Sequence, residues 1–353
     1  MINCRNTTVI SDLKSLYDTN SCWSMLKEKN ILITGATGML ATYCCYFLSF
    51  LNDTYNFGIK ITALVRNEEK AKKKFQDIYE KDYFTLLVQD IKDPLSIDTH
   101  FDYILHMSGS ASAYAITHEP ENIIISNVLG TKNVLDLAVK CKNTRVLFTS
   151  TREVYGRLDD GIASISENMM GVLDVSSSRS CYPESKRMAE NLLAVYKEKY
   201  HIDYVNVRLA HAYGPGMALK NDGRVMADLI SDAANGKDII LKSDGIMKRA
   251  FCYISDAISA IFTILLIGKS GESYNISNEK EEISIKDLAF LIASLSNQNL
   301  KVTFKKITPK EQKGYLSIER VKLNTDKLEH LGWKPLVGLE EGIKRTLQSL
   351  KAR

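Results

Sequence analysis

The chain has 353 residues, with 46 Lys and Arg against 42 Asp and Glu and a formal net charge of +4. A hydrophobic fraction of 45% and a charged fraction of 25% are ordinary globular values, and they exclude wholesale disorder, a collagen-like chain and a disulfide scaffold. The weak, dispersed positive charge argues against a nucleic-acid partner. The seven cysteines form no CxxC pair, which indicates reduced cytosolic thiols. The His, Cys and carboxylate residues do not have the spacing of a zinc site, so no structural metal is expected.

The apolar segments of the sequence are too short for a membrane protein. The longest runs, Met39–Leu51 and Ala257–Ile267, fall below the ~20 residues that a membrane span needs. No apolar segment follows the polar N-terminus as it does in a signal peptide. We therefore expect a soluble, cytoplasmic protein with no membrane partner.

Short β-branched segments alternate with longer amphipathic ones over the first two thirds of the chain. Strands are predicted at Asn30–Thr34, Lys60–Val65, Thr85–Gln89, Tyr103–Met107, Arg145–Thr149 and Tyr204–Arg208. Helices are predicted at Met39–Leu51, Glu68–Asp77, Gly130–Lys140 and Tyr182–Lys199, and later at Arg224–Asn235, Ile254–Ile267, Ile285–Leu295 and Leu339–Leu350. This alternation predicts an α/β fold with a Rossmann-type, doubly wound parallel sheet.

Three parts of the chain differ in pattern. Residues 1–27 precede the first strong strand and are interpreted as an N-terminal extension, with helical character at Ser11–Tyr17. Residues 28–215 carry the alternating pattern of a dinucleotide-binding domain. Residues 216–353 are expected to form a smaller α/β substrate-binding part, with Arg249–Ile267 packing back on the first domain.

A glycine-rich turn follows the first predicted strand and precedes a helix. Gly35 permits a tight turn, Gly38 allows a pyrophosphate to approach the backbone, and Ala41 allows close packing of helix and strand. Free N–H groups at the helix N-terminus favour the phosphates, although a turn that merely needs glycines is the alternative. The residues expected to contact the cofactor here are Gly35, Thr37, Gly38 and Met39.

The ends of the next two strands bear on the choice of cofactor. NAD enzymes usually place an acidic residue after the second strand, whereas this chain has Arg66, followed by Lys70. A cation at this point suits the 2′-phosphate of NADP, although Arg66 is equally consistent with an exposed strand end. Asp90 and Ile91 are predicted to meet the adenine, and Asp90 is alternatively the cap of a turn.

Tyr182 and Lys186 lie four residues apart, on one face of a predicted helix. Tyrosine, with a pKa of ~10, is a poor base at neutral pH. A neighbouring ammonium and a cationic nicotinamide would stabilise its phenolate. An exposed YxxxK on an ordinary amphipathic helix is the alternative, and the glycine-rich turn earlier in the chain favours the catalytic interpretation.

A set of motifs places these features in a known family. From about Asn30 to Leu350 the chain resembles the extended short-chain dehydrogenases/reductases, and among these the nucleotide-sugar enzymes, above all the UDP-glucuronate decarboxylases. The segments that carry the resemblance are TGATGMLA (34–41), YILHMSG (103–109), NVLGTKN (127–133), STREVYG (150–156), RSCYPESKR (179–187), RLAHAYGP (208–215), RAFCYISD (249–256) and LGWKPLVGLEEGI (331–343).

The resemblance implies roles for individual residues. Tyr182 would take the proton of the C4 hydroxyl of a sugar while hydride leaves C4. Thr151 would hydrogen-bond the same oxygen, and Lys186 would hold the cofactor ribose and tune Tyr182. The acidic residue that acts near C5 would be Glu153, unless it is structural or pairs with Arg152. The residues expected at the substrate are Arg152, His211, Arg224 and Arg249.

Three positions depart from the family pattern. Arg152 replaces a Ser or Asp, His211 replaces an Asn beside the substrate phosphates, and Ser108 replaces a small apolar residue near the nicotinamide. If residues 152 and 153 extend the strand, their side chains point to opposite sides.

The resemblance and the residues together predict an NAD(P)-dependent enzyme that converts a nucleotide-diphosphate sugar through a 4-keto intermediate, by epimerisation, decarboxylation or dehydration. An NADPH-dependent 4-keto-sugar reductase is the alternative that Arg66 favours, and a non-catalytic nucleotide-binding regulator is a second. Family resemblance also implies a homodimer, formed through the helices at Asn127–Lys140 and Tyr182–Lys199.

Overall fold

The computed structural model describes residues 3–19, 22–109, 112–219, 223–305 and 322–351. The strands in these ranges are β1 (Asn30–Thr34), β2 (Lys60–Val65), β3 (Phe84–Val88), β4 (Tyr103–His106), β5 (Arg145–Thr151), β6 (Ser164–Ile165), β7 (Asp203–Leu209), β8 (His211–Tyr213), β9 (Ile239–Leu241), β10 (Lys248–Tyr253), β11 (Glu272–Ile276), β12 (Glu282–Ser284), β13 (Val302–Phe304) and β14 (Lys322–Leu323).

The helices in the same ranges are α1 (Thr7–Asp18), α2 (Met39–Tyr55), α3 (Glu68–Lys74), α4 (Ala113–His118), α5 (Pro120–Cys141), α6 (Cys181–Tyr200), α7 (Val225–Ala234), α8 (Ile254–Ile267), α9 (Ile285–Leu295), α10 (Asp326–Glu329) and α11 (Leu339–Lys351). Short 3-10 helices lie at Cys22–Leu26, Arg152–Tyr155, Ser178–Ser180 and Glu279–Glu281.

Seven strands form one sheet in the order β11-β7-β5-β4-β1-β2-β3. Every neighbouring pair in this sheet is parallel. The chain starts at β1, builds outward to β3 and then returns to β4 on the other side of β1, so the strand order reverses between β1 and β4. In such sheets ligands bind outside the carboxyl ends of the strands at this reversal. The predicted doubly wound α/β fold is confirmed.

Most predicted elements lie where the sequence places them. The bounds of β1, β2, α8 and α9 agree with the prediction residue for residue. The largest difference is α5, which begins at Pro120 rather than at Gly130. Pro120 occupies the first helical turn, where its missing N–H costs no hydrogen bond. The first turns of α5 also expose Ile124 and Ile125, which obscures the amphipathic pattern from which the helix was predicted.

The N-terminal segment is part of the core. Helix α1 buries Val9, Leu13 and Leu16 and packs against α2, α8 and α11. The ring of Trp23 stands edge-on to Phe47, with 5.0 Å between centroids. The sequence identified this segment only as an extension, because its contacts are with elements far away in the chain.

Residues beyond 215 contribute both to the large sheet and to a smaller part beside it. Strand β11 forms an edge of the seven-stranded sheet, and α8 is buried against α2 and several of its strands. The smaller part contains a three-stranded sheet in the order β12-β10-β8 and the pair β13-β9. A further pair, β14-β6, joins the chain after residue 321 to the loop that follows β5.

Candidate active site

The glycine-rich turn lies at the carboxyl end of β1, next to the strand reversal. Gly35 has a φ of +64°, and a Cβ atom there would lie 2.8 Å from the Cα of Ser108. Any side chain at this position would therefore collide with the backbone after β4. Gly38 is exposed and begins α2 without a side-chain cap. Open backbone and free helix N–H groups fit a dinucleotide pyrophosphate.

The end of β2 lies beside this turn, because the N–H of Ala36 donates to the carbonyl of Leu64 at 3.3 Å. Arg66 follows directly and is exposed. Asn67 then caps α3 by accepting from the N–H of Lys70 at 2.8 Å. The fold therefore puts the guanidinium-bearing residue at the strand end where the sequence predicted a contact with the cofactor.

Asp90 forms the turn cap that was its alternative interpretation. Its Oδ1 accepts from the N–H of Lys92 at 3.0 Å, and its Oδ2 lies 3.7 Å from the Lys92 Nζ. Ile91 is buried, and its side chain would lie 3.0 Å from a Cβ at Gly130. Gly130 thus allows α5 to pack closely over the segment that follows β3.

Tyr182 and Lys186 occupy the first two turns of α6 and are both buried. The Nζ of Lys186 donates to the carbonyl of Thr149 at 2.7 Å and lies 4.5 Å from the centre of the Phe148 ring. Burial lowers the pKa of Lys186 to about 7. Its ammonium therefore loses its proton far more readily than that of an exposed lysine.

The phenol of Tyr182 is surrounded by competing charges. Burial raises its pKa above 10, and the carboxylate of Glu153 raises it further. A hydrogen bond from Thr151 and the charges of Arg179 and Arg224 act in the opposite direction. The sequence predicted Lys186 as the cation that tunes this phenol. In the structure Arg179 and Arg224 are cations that lower its pKa, and no such role was predicted for either.

The chain turns directly after Thr151. Residues Arg152–Tyr155 form a short 3-10 helix, and the Oγ1 of Thr151 caps it by accepting from the N–H of Glu153 at 3.2 Å. The expectation that residues 152 and 153 point to opposite sides of a strand is therefore wrong, because the strand has ended. The carboxylate of Glu153 pairs with Arg179 at 2.9 Å, a different cation from the neighbouring Arg152 considered from the sequence.

The predicted substrate residues come from the smaller part of the structure. His211 on β8 pairs in register with Phe251 on β10, and the two rings are 5.8 Å apart. Arg224 immediately precedes α7 and acts on the pKa of Tyr182, so the structure brings it to the site. Arg249 on β10 donates to the carbonyl of Lys248 at 2.8 Å.

Two further polar residues lie around Lys186. Asn127 donates to the Oγ of Ser185 at 2.9 Å, and its buried Oδ1 has no hydrogen-bond partner among the described residues. His106 lies between the hydroxyls of Thr34 and Thr131, at 2.8 and 3.1 Å. Burial and the charge of Lys186 lower the pKa of His106 to about 3, so the imidazole is neutral. Asn127 and His106 lie in quoted motifs, but the sequence assigned no role to either.

The described ranges contain no group of three or more His, Cys, Asp or Glu side chains placed to hold a metal ion. Within the same ranges, no helix is both long and apolar enough to span a membrane.

Comparison with known proteins gives consistent similarities. UDP-glucuronic acid decarboxylase 5 of Arabidopsis thaliana is 33% identical over 270 residues, which are 76% of this chain and 75% of that protein. Among solved structures, an epimerase of Methanothermobacter thermautotrophicus superposes with a TM-score of 0.79 at 19% identity, over 96% of both chains. The UDP-glucuronic acid 4-epimerase of Bacillus cereus, in complex with UDP-glucuronic acid and NAD, gives 0.75 at 22% identity, over 91% of this chain and 99% of that one.

The two structural similarities are at low identity and concern the fold. The family model for the NAD-dependent epimerases and dehydratases matches residues 31–277. That range runs from β1, with its glycine-rich turn, through the Thr151, Tyr182 and Lys186 cluster to the end of β11. The chain therefore belongs to the NAD-dependent epimerase/dehydratase family.

Proposed function

We propose that this protein decarboxylates UDP-glucuronate through a 4-keto intermediate. The observation that carries the proposal is the cluster of Thr151, Glu153, Tyr182 and Lys186 at the carboxyl end of β5 and the start of α6. A proton acceptor, a lysine side chain and a carboxylate lie close to one another there, and this supports the proposal. The similarity to a decarboxylase over three quarters of the chain supports the choice of substrate.

The dinucleotide fits the residues that the strand reversal brings together. Gly35, Thr37, Gly38 and Met39 would hold its pyrophosphate, Asp90 and Ile91 would lie near the adenine, and Lys186 would hold the nicotinamide ribose. When bound, NAD supplies the acceptor for the hydride that leaves C4 of the sugar. Every other step belongs to side chains of this chain.

Tyr182 would accept the proton of the C4 hydroxyl, with Thr151 hydrogen-bonded to the same oxygen. Its pKa has to fall for this, and Arg179, Arg224 and a cationic cofactor all act in that direction. Oxidation at C4 makes the sugar a β-keto acid, which loses CO2 as the electrons of the C5–C6 bond move toward the C4 oxygen. C5 then gains a proton, and Tyr182 returns its own when C4 is reduced again.

The substrate diphosphate would be bound by residues of the smaller part and of the turn after β5. Guanidinium groups match phosphate geometry in a bidentate manner. Arg224, Arg249 and Arg152 are therefore proposed as substrate-binding residues, together with His211. The charge of Arg224 already acts on Tyr182, which supports its place beside the sugar.

Mass spectrometry after incubation with UDP-glucuronate, UDP-glucose, dTDP-glucose and other nucleotide sugars tests the proposal. A product of UDP-glucuronate that is ~44 Da lighter supports decarboxylation. A loss of ~18 Da from another sugar would indicate dehydration instead. An isomer of unchanged mass would indicate epimerisation, and a gain of ~2 Da with NADPH would indicate a reductase.

We further infer that Arg66 gives the site affinity for NADP in addition to the NAD of its family. Arg66 is exposed at the end of β2, beside the glycine-rich turn, and a guanidinium suits a 2′-phosphate. The seven free thiols support a reducing, cytoplasmic location. A homodimer is proposed from apolar side chains exposed on α5 and α6, which pack against each other.

A further inference from the structure

A half-buried ion pair joins the turn after β5 to the start of the catalytic helix. One nitrogen of Arg179, Nη2, lies 3.1 Å from Oε1 and 2.9 Å from Oε2 of Glu153. The two side chains retain 26% and 29% of their exposure. An ion pair in partial shelter from water is stronger than one on the open surface.

Both ends of this pair are held by their own backbone contacts. Arg179 lies in the short helix Ser178–Ser180, capped by the Oγ of Ser177 and tied by Ser180 to the carbonyl of Asp174 at 2.6 Å. On the other side, the Nε of Arg187 donates to the carbonyl of Val154 at 2.6 Å. The carboxylate and the guanidinium are therefore presented to each other by two fixed turns.

The pair stands beside the reacting group. The charge of Glu153 raises the pKa of Tyr182 and that of Arg179 lowers it, so both act on the phenol that would remove the C4 proton. The Nη1 of Arg179 is buried without a hydrogen-bond partner among the described residues. A buried donor without an acceptor costs stability, so Arg179 is held at this place at a cost to the stability of the fold.

We propose that Arg179 is a positioning residue, which holds the carboxyl group of Glu153 in one orientation for proton transfer to C5. This inference rests on the proposed function. As CO2 leaves, the C5–C6 electron pair forms the enolate. The Glu153 carboxylate, held by Arg179, accepts a hydrogen bond from a solvent molecule and orients it, and this solvent molecule gives its proton to C5. The sum is one solvent proton consumed for each CO2 released.

Measuring the two halves of the reaction separately distinguishes a positioning role of Arg179 from a purely structural one. Oxidation at C4 needs Tyr182 and Lys186, whereas protonation of C5 needs an oriented Glu153. In a single turnover of R179Q we expect reduced cofactor, read at 340 nm, to form only a few fold more slowly than in the wild type, because Arg179 is one of several positive charges that lower the pKa of Tyr182. Formation of the C5-protonated product should fall by about 10- to 100-fold, the range that small misplacement of a catalytic group produces.

The stereochemistry at C5 provides a second readout. In D2O the wild-type product should carry deuterium in one of the two C5 positions, as NMR distinguishes them. In R179Q the product should be a mixture, with the single deuterium in either of the two C5 positions, because solvent then reaches C5 without an oriented donor. R179K keeps the charge without the fork of the guanidinium and should restore part of both the rate and the stereochemistry.

A matched control removes an arginine–carboxylate pair at the other end of β5. Arg145 begins β5 at the far end from the site and pairs with Asp203 at 3.2 Å. We expect R145Q to leave both halves of the reaction unchanged. The role of Arg179 is overturned if R179Q matches the wild type in formation of the C5-protonated product and in C5 stereochemistry. It is also overturned if both halves of the reaction are lost equally and thermal stability falls. Wild-type protein that neither reduces its cofactor nor releases CO2 overturns the proposed function itself.

Discussion

Tyr182 is the residue on which the proposed chemistry depends most directly. In the structure its pKa is raised by burial and by Glu153, and it is lowered by Thr151 and two arginines. A group in this balance becomes a base only when further positive charge is added, which a cationic nicotinamide would do. The binding of cofactor and the activation of Tyr182 are therefore expected to be coupled.

Replacing Tyr182 by Phe tests its role. The ring and its packing remain, but the proton acceptor is lost, so we expect turnover to fall by at least ~100-fold, as for other positioned acid–base groups. Cofactor affinity should stay within a few fold, since Lys186 and the glycine-rich turn are unchanged. Steady-state kinetics and cofactor titration provide the measurements. Turnover within threefold of the wild type would remove Tyr182 from the mechanism.

Arg66 decides whether the site distinguishes the two nicotinamide dinucleotides. A charge-assisted hydrogen bond to a 2′-phosphate is worth ~1.5–3 kcal/mol, or about 10- to 150-fold in affinity. We expect R66A to weaken the binding of NADP by that factor and to change the affinity for NAD little. Fluorescence titration of both cofactors against both proteins measures this. An NADP affinity that R66A leaves unchanged contradicts the assignment and leaves NAD as the natural cofactor.

At the scale of elements, the sequence was informative wherever a contact is local. The glycines after β1 and the Tyr–Lys spacing on α6 are determined within one turn of backbone, and both were predicted. The ion pair of Glu153 with Arg179 joins residues 26 positions apart, and it depends on how two turns meet in space. The turn at Arg152–Tyr155 was also missed, because a strand signal does not say at which residue the strand ends.

Helix α1 is the clearest case of an element whose role is tertiary. Its Asp12 is fully buried and accepts from the hydroxyl of Tyr253 on β10 at 2.7 Å. It also pairs with Arg345 on α11 at 3.0 Å. One carboxylate thus links the N-terminal helix to the C-terminal helix and to the strand that leads into α8.

The pKa of Asp12 makes this link sensitive to pH. Burial raises it from 3.8 to about 6, against the opposing effects of Tyr253 and Arg345. Because the folded protein then holds the proton more tightly than the unfolded chain, the free energy of unfolding should fall as pH rises from about 4 to about 6. A shift of roughly two units corresponds to ~3 kcal/mol.

D12N has no titratable group at this position. As pH rises from 4.5 to 7, the free energy of unfolding of D12N should therefore increase by ~1–3 kcal/mol relative to that of the wild type. Urea denaturation at the two pH values measures the difference. The control is D53N, because Asp53 forms an exposed ion pair with Lys81. Its free energy of unfolding should stay within ~1 kcal/mol of that of the wild type at both pH values. A D12N difference that is constant with pH contradicts the argument.

At the scale of the whole molecule, α5 and α6 present a surface that a monomer would leave in water. The two helices pack against each other, and each exposes large apolar side chains, between 42% and 52% accessible: Ile125, Leu129, Met188 and Val195. We propose that these side chains belong to an interface between two copies of the chain. A second copy related by a two-fold axis would cover the same helices on both protomers.

A charge at this surface should therefore separate the protomers. We expect light scattering to give the wild type a mass twice the 39.7 kDa of one chain. The double variant L129E/M188E should have the mass of a single chain. The matched control is F290E, since Phe290 is similarly exposed on α9, away from these helices. F290E should remain dimeric. Because α6 also carries Tyr182 and Lys186, the monomeric variant should lose activity as well, through a loosened catalytic helix. Wild-type protein that is monomeric at micromolar concentration contradicts the dimer.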